Sequence, residues 1–339
     1  MSDAASKTVH EVDLCVIGAG SAGLSVAYGA SHLGRSVVLF EREAMGGDCL
    51  NTGCVPSKAL IKAAKVAHER RKGSEYGIAP VEPEIDFQAV KAHIQGVIDQ
   101  IAPVDSVERY SGFGVTVIKE DAAFADERTV ESDNHIVRAK RIVVAAGSRA
   151  SAPPIPGLSD VPYLTNETIF QVPTLPRHLL IIGSGPIGLE MGQSLRRLGS
   201  KVTIIDIAEP LGRSDPEHAS VLIDALKAEG VVFRAPARTK QISKTARTIK
   251  IEFEDGETLS GSHLLVAAGR APNVEGLNLE AGGVTYDRSG IQTDAALRTS
   301  NRRVYAAGDI AAGKAGLTHA DDIHAGPLNK NLYFIQHGL

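Results

Sequence analysis

VDLCVIGAGSAGLSVAYGASHLGRSVVLFE, residues 12–41, decides the fold. Val12 to Ile17 is an apolar run, the pattern of a strand covered on both faces of a parallel sheet. Gly18-Ala-Gly20-Ser-Ala-Gly23 follows, then a helix of small residues to about Leu33, then a second apolar run, Val37 to Phe40, closed by Glu41. Each glycine meets a different physical need. Gly18 permits the tight turn, Gly20 lets backbone approach a pyrophosphate, and Gly23 lets the helix pack closely on the strand. The helix N-terminus offers N–H groups and a positive dipole to the phosphates. Glu41 stands where an acid can accept hydrogen bonds from ribose hydroxyls.

The pattern recurs. Leu179 to Ile182 reads as a strand, Gly183-Ser-Gly185-Pro-Ile-Gly188 as the loop, and Lys201 to Ile205 as the next strand, ending at Asp206. First glycine to acid is 23 residues in both copies (41 − 18 and 206 − 183). One GxGxxG could be a plain glycine turn; two copies in strand–loop–helix–strand context, each closing on an acid, specify two dinucleotide-binding units.

Between the copies, Lys58 to Lys72 and Phe87 to Ile101 read as helices. A strand then ends at Gly147, and Pro153, Pro154 and Pro156 mark a domain crossing. A similar strand ending at Gly269 closes the second unit before Pro272, and the chain goes on to Val304-Tyr-Ala-Ala-Gly308-Asp309-Ile310. The expected architecture is α/β: two Rossmann-like, three-layer domains with parallel sheets, the second inserted into the first. The expected boundaries are 1–152 and 273–339 for the first domain and 153–272 for the second.

Composition sets bounds on function. The 339 residues are 43% apolar and 22% charged, enough for two buried cores. A formal charge of −4 leaves no basic footprint for nucleic acid or an anionic membrane. No run approaches the roughly 18 apolar residues of a membrane span, and the polar start MSDAASKTVHEVD lacks a secretory apolar core. Three cysteines are too few for a secreted disulfide scaffold. The expectation is a cytoplasmic protein with no metal site.

Two of those cysteines lie in GGDCLNTGCVPSK, residues 46–58. In a straight helix the Cα atoms of Cys49 and Cys54 would lie roughly 8 to 9 Å apart. A disulfide needs less than about 7 Å. A cross-link therefore requires a distorted helix, which Asn51-Thr52-Gly53 permit, with Pro56 suited to the first turn of the regular helix that follows. Cys15, inside the first strand, reads as an apolar core residue.

These motifs together resemble the FAD-dependent pyridine nucleotide-disulfide oxidoreductases, the family of lipoamide dehydrogenase, glutathione reductase and mercuric reductase. The resemblance covers essentially the whole chain, and GGDCLNTGCVPSK is its most specific part, although the family commonly has a small residue such as Thr in place of Asp48. It implies FAD at Gly18, Gly20, Gly23, Glu41, Gly47, Lys58, Gly147, Gly308 and Asp309, the last on the ribityl chain. It implies NAD(P)H at Gly183, Gly185, Gly188, Asp206 and Gly269. Cys49 would exchange with substrate, while Cys54 would face the flavin as a thiolate, its pKa lowered at a helix N-terminus. Lys58 would stand beside flavin N5 as a buried ammonium paired with Glu190. NADPH-preferring relatives place an arginine just after the second acid; here Ile207 stands there and Arg213 is the remaining phosphate candidate, so Asp206 points to NADH over NADPH.

The resemblance implies a small-molecule or protein-bound disulfide or dithiol as partner, and a homodimer for full-length members. Those members end in an interface domain whose His–Glu pair acts as acid and base in the partner's site. This sequence stops at Leu339, so a truncated form is expected; no catalytic role is expected of His319 or His324, and Pro327 would interrupt a helix there. The leading expectation is an NADH:disulfide oxidoreductase of the lipoamide dehydrogenase type. The alternatives are Hg(II) reduction, a flavin-binding remnant with only NADH oxidase or diaphorase activity, and a flavoprotein without dithiol chemistry, for which Cys49 and Cys54 would have no use.

Overall fold

Leu14, Cys15, Val16 and Ile17 are all fully or almost fully buried in the computed structural model, which describes residues 7–212 and 214–313. Alternate residues of this run serve different cores. Cys15 and Ile17 pack with Val38 and Phe40 on one face of the sheet, and Leu14 and Val16 pack with Val37 and Leu39 on the other. A strand covered on both faces has no polar positions to spare, which explains the unbroken apolar run. Burial pushes the Cys15 thiol well above the ordinary cysteine range, as befits a packing residue.

The chain divides into two units. The first comprises residues 1–51, 99–149 and 271 onward. Its sheet runs Val115–Ile118, Val37–Phe40, Thr8–Ile17, His135–Val144, Thr129–Glu131, Ala123–Phe124. The first four strands are parallel, and the last two form an antiparallel extension. Val304–Ala306 returns to pair in parallel with Ile142, Val143 and Val144. More than 150 residues of sequence separate these partners, so the sheet is completed by chain that follows the second unit.

The second unit comprises residues 52–98 and 150–270. Its parallel sheet runs Val232–Arg234, Lys201–Ile205, His178–Ile182, His263–Val266. The antiparallel strands Thr239–Lys244, Ile249–Phe253 and Thr258–Gly261 cover one face, where Ile242 and Ile251 meet Leu180 and Leu264. The other face carries the helices Pro186–Arg197 and Cys54–Arg71. Ala59, Leu60, Ala64 and Ala67 of the latter join the core of Ile181, Leu189 and Leu195.

The range 1–152 counts residues 52–98 with the first nucleotide domain, whereas their contacts group them with the second unit. The apolar stripe of Cys54–Arg71 announces a buried face without naming the core that buries it.

Candidate functional site

In the first unit the strand Thr8–Ile17 runs into Gly18, at φ +103°. A Cβ here would lie 2.4 Å from the Ala145 carbonyl oxygen, so both conformation and space require glycine. A Cβ on Gly23 would stand 1.8 Å from the Gly18 carbonyl oxygen; this is the close helix-on-strand contact. The helix Ser21–His32 then begins without a side-chain cap. The Glu41 carboxylate accepts from Ala19 N at 2.8 Å and from Glu43 N at 2.7 Å, tying the strand end to the glycine loop.

The segment before Cys49 closes onto the same loop. Gly46 N donates to Ala19 O at 2.9 Å, and a Cβ on Gly47 would lie 2.7 Å from the Gly20 Cα. Gly47 and Gly20 are therefore backbone against backbone. Asn51 fixes the short helix Gly47–Asn51 by donating from Nδ2 to Met45 O and Gly47 O. At the neighbouring strand ends, Asp309 accepts from Ser148 Oγ at 2.5 Å. Asn273 bridges to Gly147 O through its backbone N and to Ala146 O through Nδ2. Gly147 and Gly308 both take positive φ, at +65° and +79°.

The second unit repeats the design. Gly183 has φ +110° with a Cβ position 2.3 Å from Ala267 O, and a Cβ on Gly188 would be 2.1 Å from Gly183 O. Asp206 accepts from Ser184 N at 2.7 Å, from Ser184 Oγ at 2.6 Å and from Ala208 N at 3.1 Å. In both units the acid thus holds the residue after the first glycine and the N–H two residues beyond itself.

Gly185 differs from its neighbours. Its φ of −78° suits any residue, and an added Cβ would meet nothing within 4 Å. Nothing within the unit demands glycine there, and the open space leaves its backbone approachable. Gly269 closes the same end of the sheet and accepts from Ser151 N at 3.0 Å.

All three cysteines are thiols, Cys49 and Cys54 half-buried. The helix does break between the latter two: one ends at Asn51 and the next begins at Cys54, with Gly53 at φ −123°, ψ −111°. Pro56 sits in the first turn of the new helix. Lys58, one turn beyond Cys54, donates from Nζ to both Glu190 oxygens, at 2.7 and 2.8 Å. The expected pairing is present, with the two side chains 60% and 37% exposed. His319, His324, Pro327 and Arg213 lie outside the described residues.

A sequence profile described as pyridine nucleotide-disulphide oxidoreductase matches residues 12–324. The chain belongs to this family. It is 37% identical over 322 residues to the mercuric reductase of Acidithiobacillus ferrooxidans, covering 91% of this chain and 58% of that protein. It is 36% identical over 308 residues to the mercuric reductase of Streptomyces lividans, covering 88% and 65%. It is 30% identical over 321 residues to the dihydrolipoyl dehydrogenase of Bacillus subtilis (strain 168), covering 89% and 68%. Among solved structures, the Cu(II) complex of HOCl-induced flavoprotein disulfide reductase RclA from Escherichia coli superposes with a TM-score of 0.85 at 25% identity, covering 95% of this chain and 71% of that one. The chain spans 58% and 65% of the two mercuric reductases. The family uses FAD and NAD(P)H, and its fold is that of the two Rossmann-like units described above.

Six features that a single sequence does not flag support these loops: Ser148, Ala19, Asn273, Ser184, and the Glu43 and Ala208 N–H groups. The only signal for the last two was their common spacing of two residues past an acid.

Proposed function

We propose that the chain carries the redox reaction of a flavin-dependent NAD(P)H:disulfide oxidoreductase. The observation that carries the reading is the acid-to-loop lock found in each unit, Glu41 on Ala19 and Asp206 on Ser184, with the residues just before Cys49 anchored on the first loop through Gly46 and Gly47. In this assignment Gly18, Gly20, Gly23, Glu41, Gly47, Gly147, Gly308 and Asp309 hold FAD, and Gly183, Gly185, Gly188, Asp206 and Gly269 hold the nicotinamide nucleotide. FAD, when bound, supplies the two-electron link between nicotinamide and sulfur.

The protein groups do the sulfur chemistry. The Cys49 thiolate attacks a substrate disulfide, forms a mixed disulfide and expels one substrate thiolate. The Cys54 thiolate then attacks the Cys49 sulfur, releases the second substrate thiol and leaves a Cys49–Cys54 disulfide. NADH provides the two electrons that restore the dithiol, so the sum is RSSR + NADH + H⁺ → 2 RSH + NAD⁺. Cys54 opens its helix, where the unpaired N–H groups favour thiolate. Lys58, at i+4 on the same helix face, adds a positive charge, and Glu190 fixes its position.

Asp206 supports NADH as the coenzyme. Its three protein hydrogen bonds leave acceptor capacity for a ribose hydroxyl, and its charge opposes a 2′-phosphate. The substrate we favour is a lipoamide-type disulfide. A second reading, reduction of Hg(II), draws on the 36–37% identity to two mercuric reductases.

The test is NADH oxidation by the FAD-loaded chain, offered lipoamide, glutathione disulfide or Hg(II). Turnover with a disulfide supports the first reading, and turnover with Hg(II) alone moves the second ahead. Dye reduction by NADH with neither substrate consumed contradicts the dithiol assignment.

A further inference from the structure

Far from the glycine loop, the second unit contains a cavity of about 310 Å³ lined by Tyr163, Lys244, Arg247, Ile249, Ser262 and His263 among others. Its place in the sheet separates it from the nucleotide loop. Ser262 and His263 stand at the start of the strand His263–Val266, which pairs in parallel with His178–Ile182, and Gly183 begins only where that partner ends. A five-residue strand spans roughly 16 Å, so cavity and glycine loop occupy opposite ends of the sheet.

Charge in the cavity is one-sided. Lys244 and Arg247 line it, and no acidic residue does. Among the described residues neither cation lies within ion-pair distance of a carboxylate. Other cations nearby are paired: Lys240 on the same antiparallel sheet meets Glu252 at 2.6 Å, and Arg234 on the neighbouring parallel sheet meets Asp255 and Glu257. The hairpin that carries Arg247 is fixed by Thr245, whose N–H donates to Thr248 O at 2.8 Å and whose hydroxyl lies 2.7 Å from that of Thr248. The turn between the two exposed cations is therefore fixed, and among the described residues neither side chain is hydrogen-bonded.

The floor supplies a hydrogen-bond acceptor. Ser262 Oγ donates to His178 O at 3.1 Å and accepts from His178 N at 3.1 Å. With the Ser262 hydroxyl proton given to His178 O, that oxygen can only accept from His263 Nδ1, 3.0 Å away, which assigns the Nδ1–H tautomer to the ring. Nε2 is left with a lone pair, and burial lowers the ring's pKa, keeping it neutral near pH 7. Leu164, Ile249 and Leu264 supply an apolar wall.

We propose that this cavity is a binding site for a small hydroxylated organic carboxylate. The carboxylate is met by the Arg247 fork and the Lys244 ammonium, the hydroxyl donates to His263 Nε2, and the carbon body lies on the apolar wall. The volume, at the lower end for ligand pockets, admits one compact molecule rather than a nucleotide. The site stands whether or not the redox assignment does, because it uses none of those residues.

The test is titration calorimetry of the full, FAD-loaded chain with 4-hydroxybenzoate, benzoate and inorganic phosphate. Saturable binding of 4-hydroxybenzoate is expected, with weaker binding of benzoate, which lacks the donor, and of phosphate, which lacks the body. The Lys244→Gln/Arg247→Gln double variant, altered on an exposed hairpin, should lose at least about tenfold in affinity while binding NADH as the parent does. His263→Gln should erase the preference for 4-hydroxybenzoate over benzoate. No saturation with 4-hydroxybenzoate, undiminished affinity in the double variant, or phosphate binding as tightly as the aromatic acid would each overturn the proposal.

Discussion

Gly185→Ala and Gly188→Ala, three residues apart in one loop, should fail in opposite ways. At Gly188 the new methyl would sit 2.1 Å from a backbone carbonyl oxygen, that of Gly183, with no flexible side chain to move aside. The helix Pro186–Arg197 must lift off its strand, an overpacking cost of about 1–3 kcal/mol. For a unit of this size that lowers Tm by about 2–4 °C per kcal/mol. At Gly185 the methyl meets nothing within 4 Å, and φ −78°, ψ −178° is comfortable for alanine before proline. The folded unit loses nothing, and the stiffer unfolded chain adds up to about 0.4–1 kcal/mol of stability. The methyl does occupy the space through which a pyrophosphate reaches the backbone, so NADH affinity should fall at least tenfold, about 1.4 kcal/mol. Differential scanning calorimetry of the ligand-free variants, followed by NADH titration, measures both quantities. The reasoning is refuted if Gly185→Ala melts as early as Gly188→Ala, or if it binds NADH with the parent's affinity.

Three further outcomes follow from named contacts. Cys49→Ser and Cys54→Ser should each abolish NADH-dependent disulfide reduction while sparing NADH-dependent dye reduction; assays of both activities on each variant check this. Glu190→Gln, at an exposed pair, should change stability by no more than about 0.5 kcal/mol in urea titration, yet slow disulfide turnover, because Lys58 loses the carboxylate that positions it. The Arg197–Glu229 pair is different, with side chains only 16% and 12% exposed. Burial alone would raise the Glu229 pKa, but the hydrogen bonds and charge of Arg197 outweigh it and hold the carboxyl below the ordinary range. A lowered carboxylate pKa means stability that is complete above the unfolded value near 4.3 and is lost as pH falls through the folded one. Glu229→Ala should therefore cost about 3 kcal/mol at pH 7 and flatten the fall in stability below about pH 4, as followed by urea unfolding across pH.

The parts of this molecule that obey short-range rules were legible in its sequence. Gly18, Gly23, Gly183 and Gly188 follow a fixed spacing because the strand–turn–helix geometry is local, and the break at Thr52-Gly53 follows from residues that resist helix. The strands showed because burial on both faces leaves them continuously apolar. What escaped notice depends on contacts between distant segments. Asn273 reaches back to Ala146 and Gly147, and Ser148 reaches Asp309, across more than 120 residues; nothing near an asparagine or serine announces such a partner. The helix Cys54–Arg71 shows an apolar stripe of alanines and leucine, which any core would accept, so its grouping with the second unit could not be read. Lys58 and Glu190 lie 132 residues apart, and only the family resemblance pairs them.

The account stands on Cys49 and Cys54 acting as one redox pair, and an anaerobic NADH titration of the FAD-loaded chain tests this most directly. The visible spectrum should develop a long-wavelength charge-transfer band as two electrons enter, and Cys54→Ser should lack it. Flavin bleaching without that band in the parent would show the two cysteines to be disconnected from the nucleotide sites and would contradict the proposed function.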